Sequence, residues 1–246
     1  MTRGLFILFA LAAYAVFFAT FLYLVAFLAN LPFIPYTVDA GPVSGLGVAV
    51  AIDVVLILIF GLQHSVMARR GFKAAWTRIV PAPIERSVYV VFASGALILL
   101  FLFWHPIPGE VWRVDHPAGV ALLWALFAAG WSIVLLSTFL INHFELFGLA
   151  QVWMHWRGRA VAEPRFHQPL LYKLVRHPLY FGFFLAFWAT PVMSLGHLLL
   201  AAGMSVYMLI AIQYEERDLV RLFGSDYEEY RRRVGMLTPR LSRRTG

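Results

Sequence analysis

The stretch LVRHPLYFG, residues 174–182, sets an arginine, a histidine and a tyrosine around a proline where a polar loop runs into an apolar segment. Pro178 suits the first turn of a helix, where its missing N–H costs nothing, so His177 falls near the cap beside free backbone donors. A helix start of that kind suits an anionic group such as a carboxylate. Tyr180 follows about one turn later on nearly the same face, and Gly182 lets another helix or a ligand approach the backbone closely. Further on, QYEERDL carries two adjacent carboxylates, Glu215 and Glu216. Such a pair would attract an amine or a sulfonium, or hold a ribose; pairing with tail arginines such as Arg217 or Arg221 is the plainer use for it. Two more stretches bear titratable groups: GLQHSV, with Gln63 and His64, and INHFELFGLAQVW, with Asn142, His143, Glu145 and Gln151.

The elements that must position these groups are membrane helices. Of 246 residues, 61% are hydrophobic and 13% charged, which leaves too little polar surface to coat a soluble domain of this length. Apolar runs of spanning length occupy about 5–29, 45–67, 87–104 and 119–141. The first lacks a small-residue cleavage site and reads as a span, not as a cleaved signal. Two shorter runs, 179–194 and 197–213, separated by Leu195–His197, predict a tight helical hairpin that crosses a thin region or re-enters. Beyond it, Leu219, Leu222, Phe223, Tyr227, Tyr230 and Val234 have the spacing of an amphipathic interfacial helix bent at Gly224. The fold class is therefore an all-α integral membrane protein with five to six transmembrane helices, one membrane domain over 1–246. Residues 1–141 supply four spans; residues 142–246 supply the hairpin, 179–213, and a basic tail.

Charge sets the orientation. Of the 20 Lys and Arg, only Arg113 falls in a loop assigned to the far side; Arg69, Arg70, Lys73, Arg78, Arg86, Arg157, Arg159, Arg165, Lys173, Arg176 and the tail cluster share one side. The positive-inside rule makes that side, and both termini, cytoplasmic, in a bacterial inner membrane. The net charge of +7 is thus topological, with anionic lipid as its partner and no role for nucleic acid. All four chemistry-bearing stretches then meet at one depth near the cytoplasmic face.

Other chemistries fit poorly. With no cysteine there is no disulfide framework and no thiolate metal site or nucleophile. Eight histidines form no HxxxH or HExxH pair, and His105, His116 and His197 fall on the opposite side, so no metal site is expected. GPVSGLG (41–47) precedes a span and follows no strand, so it is not a dinucleotide loop. Asp53, within span two, is costly in lipid and is expected to face the bundle as a structural hydrogen-bonding group.

RHPLYFG followed by EERDLVRLFGSDYEEYRRRV and TPRL resembles the C-terminal signature of the isoprenylcysteine carboxyl methyltransferase superfamily, over roughly residues 165–241. GLQHSVMARRGFKAAWTRIVPAPIERSVYV and NHFELFGLAQVW resemble its methanethiol S-methyltransferase branch, a neighbour of the NnrU and nurim proteins. The resemblance implies an S-adenosylmethionine site facing the cytosol. Its contacts would come from Tyr172, Arg176, His177, Pro178, Leu179, Tyr180, Gly182, Glu215 and Glu216, with Gln151 nearby. It implies methylation of a small thiol, methanethiol, to dimethyl sulfide. A thiol with a pKa of ~8.5 or above is mostly protonated at neutral pH, so a base helps, and His64, His143 and Glu145 are the candidates. Phe144, Trp153 and Tyr180 are the aromatic faces expected over the sulfonium. Rival readings are a non-catalytic membrane protein of the NnrU or nurim kind and a methyltransferase for another acceptor such as prenylcysteine. Oligomeric state is not legible.

Overall fold

A computed structural model of the chain describes residues 3–160 and 166–240; Arg165 and Leu241, used above in the basic loop and the terminal motif, lie outside them. In chain order the helices are α1 (Arg3–Leu28), α2 (Leu46–Met67), α3 (Arg70–Trp76) and α4 (Glu85–Phe103), the last preceded by a 3-10 turn at Ala82–Ile84. Strand β1 (Glu110–Arg113) leads into α5 (Pro117–Ile141), α6 (His143–Leu146) and α7 (Leu149–Trp156). A 3-10 turn at Leu170–Lys173 precedes α8 (Pro178–Trp188), β2 (Val192–Ser194), α9 (Leu195–Phe223) and α10 (Ser225–Arg233).

Five of these helices, α1, α2, α4, α5 and α9, are long and apolar enough to cross a bilayer. The first four begin and end within two residues of the runs read from the sequence. Their outward faces are leucine, isoleucine, valine and phenylalanine, exemplified by the exposed Leu8, Leu58, Leu122 and Phe139. Lipid is the solvent that such a surface matches. Inside, Phe27, Trp104, Phe187 and Leu200 are almost wholly buried in the core between the helices.

The expected hairpin is built differently. Its turn is not at Leu195–His197, which instead form the first turn of α9, capped by Ser194 Oγ accepting the His197 N–H at 3.0 Å. The break comes earlier because Pro191 lacks an N–H and biases Thr190 to an extended conformation. The chain leaves the helix at Ala189 and runs as β2 antiparallel to β1, the one two-stranded pair in the described residues. Eleven residues of α8 rise only ~16 Å, short of a ~30 Å core. Six extended residues, 189–194, add up to ~20 Å. Together they carry the chain to the level of β1 and of Asp39, which accepts from Ser194 Oγ at 2.5 Å, both beyond the far ends of α4 and α1. Helix α9 then runs back for 29 residues, ten beyond the expected end of the hairpin.

Two contacts fix α8 in place. Gly182 lies against α5: a Cβ there would meet Gly130 O at 2.7 Å, and one on Gly130 would meet the Ala186 N at 2.7 Å. The two backbones therefore pack as small-residue membrane helices do. On its other side Trp188 Nε1 donates to Ser205 Oγ of α9 at 2.9 Å. After α9, Gly224 (φ 55°) breaks the helix where the sequence reading put the bend. The face of α10 does not turn toward lipid, however. Tyr227 and Tyr230 are buried against Phe166 and Phe223, and Tyr230 Oη donates to Tyr172 O at 2.6 Å. Asp53, fully buried, accepts the His105 N–H at 2.9 Å, a structural bond as expected.

Candidate functional site

The Arg-His-Pro stretch is stitched to the tail before α8 begins: the Arg176 N–H donates to Gly235 O at 2.8 Å and the His177 N–H to Met236 O at 3.1 Å. Arg176 Nε and His177 Nε2 both donate to Glu216 Oε1, at 2.7 and 3.1 Å, and Arg231 Nη1 stands 3.7 Å from Oε2. Arg176 Nη1 also donates to Val234 O at 2.6 Å and Arg231 O at 3.0 Å. A buried carboxylate is tolerated only when its charge and lone pairs are met this fully. Glu216 is therefore a clasp joining the start of α8, the end of α9 and the tail, and its partners are Arg176 and Arg231, not Arg217 or Arg221. Arg217 instead lies over the Tyr214 ring, and Arg221 reaches Asp218.

Glu215, one residue earlier and about 100° round the helix, points elsewhere: it lines a cavity of about 520 Å³ inside the bundle. That size lies in the ~300–1,000 Å³ range of small-molecule sites. Leu179 and Tyr180 line it too, with the Tyr180 hydroxyl close to the Glu215 carboxylate. The N–H groups of Leu179 and Tyr180 precede the first bond of α8, Phe181 N–H to His177 O at 3.0 Å, and so have no helical acceptor. Tyr172 completes this wall; burial, and then the charge of Glu215, holds its hydroxyl above the usual tyrosine range.

The opposite wall is α2, α4 and the α5–α6 corner. The His64 ring stacks on Phe60 at 5.3 Å and approaches Tyr89 at 5.1 Å and Tyr207 at 6.3 Å. Neither of its ring nitrogens has a hydrogen-bond partner among the described residues, and Nδ1 is buried. His143 lines the same cavity but is fully committed. Its Nδ1 lies 2.8 Å from Thr138 Oγ1 and its Nε2 2.8 Å from Tyr14 Oη. Thr138 already gives its proton to Leu135 O, so His143 Nδ1–H donates to Thr138 and Nε2 accepts from Tyr14. Burial holds this neutral imidazole below the ordinary histidine range.

The remaining expected site residues fall elsewhere. Glu145 Oε2 accepts from Asn142 Nδ2 at 2.6 Å, Gln151 Nε2 donates to Glu145 O at 2.9 Å, and neither side chain lines the cavity. Gly182 faces α5, and Pro178 is buried at the helix start. Phe144 and Trp153 are exposed outside the cavity, so the rings around it are instead Tyr89, Tyr180 and Tyr207, with Phe17, Phe60 and Phe147.

Three charged groups were not read as site residues in the sequence. Arg69 and Asp218 form a 3.2 Å ion pair at the cavity edge, linking α2 to α9. Arg86 lines the cavity with Nε donating to Leu146 O at 2.7 Å and its guanidinium 4.6 Å over Tyr89. A signal existed for part of this: Tyr207, Ala211 and Glu215 recur every four residues, one stripe of α9, and all three line the cavity.

A bundle of membrane-spanning helices enclosing an aromatic cavity with acid, imidazole and guanidinium on its walls defines the class, an integral membrane enzyme. The chain is 52% identical over 239 residues to the methanethiol S-methyltransferase of Mycobacterium tuberculosis, covering 97% of this chain and 98% of that one. It is 51% identical over 232 residues to methanethiol S-methyltransferase 1 of Bradyrhizobium diazoefficiens, 94% and 81% of the two chains. Nurim of Pan troglodytes is more distant, 31% identical over 180 residues, 68% and 66% of the two. No family model and no solved structure matches. The chain belongs to the methanethiol S-methyltransferase family and is an enzyme of the methyltransferase class.

Proposed function

We propose that this enzyme methylates methanethiol to dimethyl sulfide with S-adenosylmethionine, at the cytoplasmic end of its membrane bundle. The carrying observation is a single cavity with two unlike walls. One presents the Glu215 carboxylate, the tyrosine faces and the open N–H groups of α8; the other presents an unpartnered imidazole among apolar rings. Relatives about half identical along nearly the whole chain bear the name of this reaction. When bound, S-adenosylmethionine supplies a methyl group activated on a sulfonium.

The first wall fits that cofactor. Glu215 attracts an ammonium, the N–H groups of Leu179 and Tyr180 receive a carboxylate, and the faces of Tyr89, Tyr180 and Tyr207 favour a sulfonium by roughly 0.5–2 kcal/mol each. His64 takes the thiol proton, because it is the imidazole on the wall whose nitrogens are not already engaged. The apolar rings exclude water, so the cavity would leave the separate charges of a thiolate and a sulfonium poorly solvated. The Arg176–Glu216–His177 clasp holds α8 and α9 at the separation this requires. The basic residues on the side carrying both termini support a cytoplasmic cavity mouth, reached from there by the cofactor, in a bacterial inner membrane.

The test is detergent-purified protein supplied with S-adenosylmethionine and methanethiol, with dimethyl sulfide read by gas chromatography. Product is expected, and Glu215→Gln is expected to weaken cofactor binding by roughly tenfold or more while the fold is retained. Binding without product would redirect the search to larger thiols. Folded protein giving neither would overturn the reading.

A further inference from the structure

Among the arginines of the cavity wall, Arg86 stands apart. Arg69 is paired with Asp218 and Arg176 with Glu216, while Arg70 is exposed. Arg86 is half-buried and makes no salt bridge with any described carboxylate. Its guanidinium is nevertheless held in place, by the Leu146 carbonyl at 2.7 Å and by the Tyr89 ring beneath it. A positioned, half-desolvated cation without a counter-charge is a site for an anion.

We infer that Arg86 binds the acceptor as its thiolate and so lowers the pH at which the thiol is deprotonated. The inference rests on the function proposed above and adds a residue to it. The competing anion is the carboxylate of the cofactor, and the wall charges argue against it. An amino-acid head group is a zwitterion and needs an acid as well as donors. The carboxylates that line the cavity, Glu215 and Asp218, are both on α9, and Asp218 is already tied to Arg69. Around Arg86 every acid is spoken for: Glu85, beside it, is held by Lys73 of α3 at 3.2 Å, and Glu145 of α6 is held by Asn142 outside the cavity. The other titratable neighbours are Tyr89 on its own helix, His64 from α2, Tyr207 from α9, and Tyr14 with His143, bonded to each other. None supplies a negative charge near neutral pH. Phe17 and Phe147, stacked at 3.9 Å, make the rest of the pocket apolar, which suits a methyl group carried on sulfur.

The step is a proton transfer. The S–H bond breaks with its electron pair left on sulfur beside the guanidinium, and the proton passes to His64.

Two readouts test it. In the first, methanethiol is titrated against the cofactor-free protein while thiolate absorbance is followed. The wild-type midpoint is expected roughly one unit or more below that of the free thiol. Arg86→Gln is expected to return it to the free value, and Arg86→Lys to keep most of the shift. In the second, kcat/KM for methanethiol in Arg86→Gln is expected to fall roughly tenfold or more at pH 7, the deficit closing as pH rises, with cofactor affinity unchanged. An unmoved midpoint, or lost cofactor affinity without a change in pH profile, overturns the inference. Wild-type protein that makes no dimethyl sulfide removes the proposed function first, whereas product with an unmoved Arg86→Gln profile sinks this inference alone.

Discussion

Of the three histidines on the cavity wall, His177 belongs to the Glu216 clasp, and the other two, His64 and His143, are chemically opposite. His143 is bonded at both nitrogens, to Tyr14 and Thr138, and stacks on Phe139 at 4.1 Å, so its neutral form is part of the packing. His64 has neither nitrogen engaged. Their variants should therefore part company. His64→Gln is expected to lower kcat by roughly 10²-fold or more, with cofactor affinity and melting temperature close to wild type. His143→Ala is expected to cost roughly 2–4 kcal/mol of stability, because it leaves the half-buried Tyr14 hydroxyl without its acceptor and opens a void beside Thr138. Thermal unfolding and cofactor titration separate the two. Equal losses of turnover and affinity in His64→Gln would make it a ligand of the cofactor instead of a base. The histidine's titration adds a pH signature. Its folded-state pKa is depressed by burial, so below its unfolded value of about 6.5 the unfolded chain binds the extra proton. Stability should fall as pH drops through that window, and His143→Gln should flatten the dependence, a difference read from melting curves between pH 7 and 5. Spacing alone could not tell the two residues apart, since the hydroxyls that occupy His143 come from α1 and α5.

At the scale of elements, α8 is a short helix that must be held rigidly for its first turn to serve as a site. The close approach of Gly182 to Gly130 does this, with a would-be Cβ 2.7 Å from backbone oxygen that has no room to yield. Gly182→Ala is expected to destabilise the protein by roughly 1–3 kcal/mol and to weaken cofactor binding in the same step, because moving α8 off α5 moves Tyr180 and strains the Glu216 clasp. Gly95→Ala, on α4 with nothing within 4 Å of its would-be Cβ, is the control and should change neither. A Gly182→Ala protein of wild-type stability that still lost cofactor would return Gly182 to the ligand-facing role the sequence suggested. Here the limits of reading are physical. The four long spans were legible because twenty apolar residues admit few other fates. The hairpin turn was not, because Thr190–Pro191 stops a helix locally while the extended strand that follows is fixed by a partner some eighty residues away, at Glu110–Arg113. Likewise the adjacency of Glu215 and Glu216 was visible, whereas their division into cavity wall and clasp depends on which helix each faces.

The whole molecule is organised by its charge. Apart from Arg113, the described basic residues belong to the side that carries the start of α1, the clasp and α10, while the β1–β2 pair closes the other end. An even number of crossings follows only if α8 and its extended continuation count as one. Were that segment to re-enter on its own side, α9 would carry the tail to the far face together with Asp115. The absence of native cysteine makes the question simple to settle, because any introduced thiol is unique. Single cysteines at Ala74, Asp115 and Ser225, all exposed, report the α2–α4 loop, the α4–α5 loop and the tail in turn. With a membrane-impermeant maleimide on intact spheroplasts, Asp115→Cys is expected to label, and Ala74→Cys and Ser225→Cys only after permeabilisation. Labelling of Ala74→Cys and Ser225→Cys in intact cells, with Asp115→Cys protected, would invert the orientation and put the cavity mouth outside. Labelling of Ser225→Cys together with Asp115→Cys would mean that α8 does not cross. Glu215, on the last turns of α9, would then sit at the opposite face from His64, and no cavity could join them.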